Sequence, residues 1–70
     1  MSSYLVVIEG EDGSYSAYCP DLPGCTAAGD SVEEVTRLMR EGIRLHIESL
    51  RAHGEPVPEP HSRVDFVDAV

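Results

Sequence analysis

Residues 20–34, Pro-Asp-Leu-Pro-Gly-Cys-Thr-Ala-Ala-Gly-Asp-Ser-Val-Glu-Glu, leave the backbone few choices. Pro20, Pro23 and Gly24 specify a tight turn, because proline presets φ and glycine accepts positive φ. Cys25, Thr26, Ala27 and Ala28 are small and suit a short strand covered by something bulkier. Gly29-Asp30-Ser31 then stops that strand and opens a helix, with Ser31 and Glu34 at the spacing of a capping box. Turn, strand and helix start follow one another without slack, and the segment contains no obvious catalytic group.

The flanking sequence extends this frame. Tyr4-Leu5-Val6-Val7-Ile8-Glu9 is rich in β-branched and aromatic residues and predicts a strand, its nearly continuous apolar character pointing to a central position. Gly10-Glu11-Asp12-Gly13 predicts a hairpin connection, with Asp12-Gly13 its strongest element. Ser14–Cys19 predicts the returning strand, with Tyr15, Ala17 and Cys19 on one face and Ser14, Ser16 and Tyr18 on the other.

From about Val32 to about His53 the apolar positions Val32, Val35, Met39, Ile43, Ile47 and Leu50, with His46 among them, recur at helical steps. Gly42 beside that stripe suggests a close approach to the sheet. Leu38 and Leu45 widen the stripe and are candidates for an oligomer contact. Gly54 suits the position past the helix, and Pro56, Pro58 and Pro60 make a stiff, extended spacer. Arg63–Val67 alternates, with Val64 and Phe66 on one side, and predicts a fourth strand at the sheet edge or paired with another chain. The expected architecture is α+β, in the order β-β-β-α-β: a three-stranded antiparallel meander, one long helix packed on it, and a short C-terminal strand.

Seventy residues support a single domain, 1–70, with a small core, and chains of this size often gain burial by pairing. Thirteen acidic residues against five basic ones give a net charge of -8. That charge repels phosphate backbones, disfavours direct nucleic-acid binding and favours a basic partner. The first residues carry no basic n-region or long apolar run, so neither a signal peptide nor a membrane span is expected. Cys19 and Cys25, six positions apart across the turn, are too few for a disulfide framework; reduced thiols in a cytoplasmic protein are the expectation and a single bridge across the turn the alternative.

Residues suited to catalysis are present but scattered. His46, His53 and His61 have no companion ligands at metal-binding spacing, and no feature links Cys25 to a base. The glycines are distributed over separate turns rather than gathered in a phosphate loop. No catalytic, metal or cofactor-binding set is therefore expected. Glu9, Asp21 and Asp30 could converge as a metal-dependent nuclease site, although Asp21 also suits a Pro-Asp turn and Asp30 a helix start.

Tyr4, Ile8, Glu9, Asp12-Gly13, Tyr15, Ala17, Pro20-Asp21-Leu22-Pro23-Gly24-Cys25, Gly29-Asp30-Ser31, Glu33-Glu34 and Gly54-Glu55-Pro56-Val57-Pro58 together resemble the HicB antitoxin family. The resemblance runs from Tyr4 to about Pro60 and implies a reduced RNase H-like fold. It implies a partner as well: a small, basic HicA-type toxin that has a double-stranded-RNA-binding-like fold and cleaves mRNA. Many members of the family add a C-terminal DNA-binding domain for autorepression; with the sequence stopping at Val70, such a domain is not expected here.

The leading expectation is thus an antitoxin domain that masks a basic ribonuclease without chemistry of its own. Glu11, Asp12 and Asp21 would supply charge to the partner contact and Tyr18 an aromatic anchor. Val64, Phe66, Leu38 and Leu45 would serve a homo-oligomer, a dimer or a tetramer. The alternatives are a metal-dependent nuclease and an orphan homo-oligomeric module without a toxin partner.

Overall fold

Asp12 and Gly13 set the register of the whole sheet. Both have positive φ, 51° and 79°, the signature of a two-residue type I′ turn whose twist matches the strands it joins. The computed structural model describes residues 2–70. In it the turn connects β1 (Val7–Glu11) to β2 (Ser14–Tyr18), and β3 (Thr26–Gly29) pairs with the other edge of β2. All pairings are antiparallel and the order is β1-β2-β3, the expected meander. The first strand differs from expectation in place and position. It lies at the edge rather than the centre, and it begins at Val7 because Val7 pairs with Tyr18, after which β2 turns away and leaves Tyr4–Val6 no partner.

The hexapeptide Pro20–Cys25 forms two linked β-turns. The Leu22 amide donates to the Cys19 carbonyl and the Cys25 amide to the Leu22 carbonyl, both at 3.1 Å. Pro20-Asp21 and Pro23-Gly24 occupy the central positions, and Gly24 at φ 88° takes the conformation a type II turn demands. Leu22, the shared corner, is fully buried. It joins Ala17, Cys19, Cys25, Val35 and Met39 in the core between the sheet and α1 (Val32–Ala52).

Helix α1 starts as its sequence directs. Ser31 is the N-cap, and its hydroxyl accepts from the Glu34 amide at 3.0 Å. The Glu34 carboxylate folds back to accept from the amide of Asp30 rather than that of Ser31, at 2.6 Å. Gly29 leaves the space this requires, since a β-carbon there would come within 3.0 Å of the Glu34 side chain. At the other end, Gly54 has φ 69°, with Glu55 donating to the Leu50 carbonyl and Gly54 to that of Arg51. These two bonds make a Schellman stop.

With 21 residues the helix is about 31 Å long, against about 17 Å for a five-residue strand. Val35 and Met39 are buried over the sheet, while Ile43, His46, Ile47 and Leu50 remain half-buried on the overhanging half. Val32, expected within the buried stripe, is exposed. Tyr4 and the proline segment give the overhang partial cover, joined by a hydrogen bond from the Tyr4 hydroxyl to the Pro58 carbonyl at 2.6 Å. Burial raises the Tyr4 pKa, which keeps the phenol protonated as the donor. Gly42 is not needed for close packing: a β-carbon there would sit 3.8 Å from the Cys25 sulfur, an ordinary contact.

The fourth strand is not formed. Residues 63–70 pair with no strand, and Val64, Phe66 and Val67 are exposed. The segment has the alternation of a strand, yet it pairs with neither edge of its own sheet.

Candidate interaction surface

Helix α1 covers one face of the sheet and leaves the other bare. Residues paired across strands share a face, so the Ile8–Ala17–Ala27 and Gly10–Tyr15–Gly29 rows look toward the helix. The opposite face carries the rows Val7–Tyr18–Thr26, Glu9–Ser16–Ala28 and Glu11–Ser14. Its floor is flat, because Ser14, Ser16, Thr26 and Ala28 are small. Tyr18 stands on that floor, 43% exposed. Glu9 and Glu11 line its β1 side, and Asp12 follows at the hairpin tip. A surface of this kind offers an aromatic contact beside three carboxylates, a chemistry suited to a basic macromolecule.

Glu11, Asp12 and Tyr18, expected at a partner contact, therefore share one surface. Glu9 joins them once β1 is in register with β2, since Glu9 and Glu11 then fall on the same face. Asp21 does not. Its carboxylate is fully buried beneath the C-terminal segment, so it faces inward rather than toward a partner. One oxygen accepts from the His61 and Ser62 amides, each at 3.1 Å, and the other from the Ser62 hydroxyl at 2.7 Å. The His61 ring nitrogen Nδ1 lies 3.0 Å from the same carboxylate. Burial alone would raise the Asp21 pKa, but the hydrogen bonds from Ser62 and His61 and the nearby imidazole outweigh it, and the net shift is downward. Asp21 is thus a latch that fixes where residues 61–62 cross the β2–β3 turn.

The remaining candidates fall elsewhere. Leu38 and Leu45 are exposed along the outer flank of the helix, Leu45 by 50%. Val64 and Phe66 belong to the projecting C-terminal segment. The nuclease trio is not assembled: Glu9 lies on the bare face, Asp21 is buried at one end of β3, and Asp30 follows the other end. No three His, Cys, Asp or Glu side chains are grouped to hold a metal ion among the described residues. Cys19 and Cys25 are free, buried thiols, and burial together with the neighbouring Cys19 raises the Cys25 pKa, away from the reactive thiolate. No helix among the described residues is long and apolar enough to cross a membrane.

Comparison with known proteins agrees with this frame. The family model described as "HicB_like antitoxin of bacterial toxin-antitoxin system" matches residues 4–69. A UPF0150 protein of Synechocystis is 48% identical over 58 residues, covering 81% of this chain and 73% of that one. Another, from Thermoplasma acidophilum, is 36% identical over 69 residues, 99% of this chain and 100% of its own length. An uncharacterized 14.9 kDa protein of Haemophilus phage HP1 is 31% identical over 65 residues, with 93% of this chain matched to 49% of the phage protein. No solved structure gives a significant match.

Proposed function

Because the chain belongs to the HicB-like antitoxin family of bacterial toxin–antitoxin systems, we propose that it works by occlusion, laying its bare sheet face over a small, basic HicA-type toxin. The observation that carries this reading is the uncovered face itself, where Tyr18, Glu9, Glu11 and Asp12 converge on a floor of small side chains. Masking needs no reaction. A toxin that grips mRNA must present a positive surface, and a -8 chain with its carboxylates on an open sheet complements it. Tyr18 gives the contact an apolar centre, with the hairpin carboxylates at its rim, the arrangement in which buried aromatics dominate affinity and rim charges set the association rate. Since the toxin's substrate is mRNA, the pair operates in the cytoplasm.

The test begins with co-purification of this chain with the small, basic product of an adjacent open reading frame. In stopped-flow mixing, the Glu11→Lys/Asp12→Lys variant is expected to associate roughly tenfold more slowly and with a shallower salt dependence. Rates equal to wild type at low salt would refute charge steering by this face.

A further inference from the structure

The C-terminal segment and the helix–β1 groove are both incomplete, and each has what the other lacks. Phe66 is 91% exposed, and Val64 and Val67 are largely so. The groove runs between the open edge of β1 and α1, a cavity of about 480 Å³ whose walls include Val6, Ile8, Met39, Arg40 and Ile43. Unpaired β1 amides and carbonyls beside an apolar trough are a site for strand addition. The shape of the chain says how much is left over. Its accessible surface is 5442 Å², whereas a compact monomer of 7.6 kDa has about 4,300 Å². The excess, about 1,100 Å², is comparable to the ~800 Å² that each partner of a stable complex buries. The radius of gyration, 13.6 Å, likewise exceeds the ~11 Å of a compact chain of this length.

The groove is not filled by the segment of its own chain, for a geometric reason. Tyr4, just before β1, holds Pro58, and Asp21, in the β2–β3 turn, holds His61 and Ser62. The chain is therefore pinned at 58 and again at 61–62, and beyond these anchors residues 63–70 pair with no strand of their own sheet. Arg-Val-Asp-Phe-Val-Asp-Ala-Val contains no glycine or proline with which to reverse.

We propose that two copies exchange these segments, each laying residues 63–70 along the β1 edge of the other with Val64 and Phe66 in the groove. Charge fits the same arrangement. Strand alternation puts Asp68 on the side of Val64 and Phe66, facing the groove wall that carries Arg40. Arg40 makes no ion pair among the described residues, whereas Arg44, further along the helix, is shared by Glu41 and Glu48. The exchange is reciprocal, so it closes as a two-fold dimer. It uses the helix side of the sheet and is independent of toxin masking, which uses the bare face; failure of either leaves the other standing.

Light scattering coupled to size exclusion, at about 0.15 M salt to screen the net charge, is expected to give about twice the 7.6 kDa chain mass. Phe66→Asp should give a monomer with unchanged far-UV circular dichroism, and Leu45→Glu, on the helix flank, should stay dimeric. Arg40→Asp and Asp68→Arg should each weaken dimerisation roughly tenfold, since every dimer contains the pair twice. An equimolar mixture of those two variants should recover a heterodimer, because each segment then meets an opposite charge on the other chain. A monomeric wild type, a Phe66→Asp dimer, loss of the dimer in Leu45→Glu, or no recovery on mixing would each overturn the proposal.

Discussion

Replacing Leu22 by alanine tests whether the Pro-Asp-Leu-Pro-Gly-Cys hexapeptide is a core-forming element rather than a surface loop. Leu22 is fully buried, one of the three largest side chains in that state, within a core of six buried apolar residues. Its partners Val35 and Met39 are held by the helix and Cys19 and Cys25 by the turn closure, so the site cannot collapse far around a lost isobutyl group. Leucine-to-alanine changes at such sites cost about 2.7–5 kcal/mol, the transfer free energy plus the cavity left behind. A 70-residue domain has about 3.5–10 kcal/mol of stability to lose, so the variant is expected to keep at most about three quarters of it. In a domain of this size each kcal/mol moves Tm by about 4–8 °C, which predicts a fall of roughly 10–40 °C. Urea titration followed by far-UV circular dichroism is the assay: the midpoint should drop with m unchanged. Leu45→Ala, at a half-exposed position on α1, serves as control and should cost less than about 1 kcal/mol. If Leu22→Ala costs no more than Leu45→Ala, the turn does not build the core and the reasoning fails.

Gly42→Ala should stabilise the domain by about 0.5–1 kcal/mol in the same titration, because glycine weakens a helix interior and the added methyl meets only an ordinary contact with Cys25. Ser31→Ala should remove about 1 kcal/mol by leaving the Glu34 amide without its cap, and the loss should show as fraying of the first helical turn in amide exchange. The Asp21 carboxyl titrates lower in the folded chain than its unfolded value of about 3.9. Its contribution is therefore complete above that value and disappears as pH falls through the lower, folded one. The His61 and Ser62 amide resonances should report this release in an NMR acid titration, and Asp21→Asn should abolish the step; an unchanged titration in Asp21→Asn would refute the latch.

What could be read from the sequence was whatever depends on neighbours a few residues away. The Asp12-Gly13 turn, the Ser31 cap, the Gly54 stop and the helix between them all follow from local backbone preference. The two faces of β2 followed from alternation. Longer-range features were harder. A run such as Tyr4–Ile8 announces burial but not its source. Here the helix overhang and the proline segment cover it, and what looked like a central strand is an edge. Asp21 reads as an ordinary turn residue because its hydrogen-bond donors lie 40 and 41 positions away. Arg63–Val67 has the composition of a strand, yet it pairs with neither edge of its own sheet, and alternation alone does not encode which edge a strand meets. On the bare face, Glu11, Asp12 and Tyr18 were legible as candidates. That Glu9 joins them emerges only once β1 is in register with β2.

Asp21 and Leu22 are consecutive, yet they serve opposite sides of the molecule: one anchors the strap that closes the sheet's end, the other plugs its interior. Sliding the hexapeptide by a single position would drive an acid into the plug's place in one direction, or put an alkyl chain under the strap in the other. A point substitution strikes one attachment, whereas length changes in this corner strike both at once. The spacing between the two prolines is consequently the dimension of this small domain with the least freedom to vary.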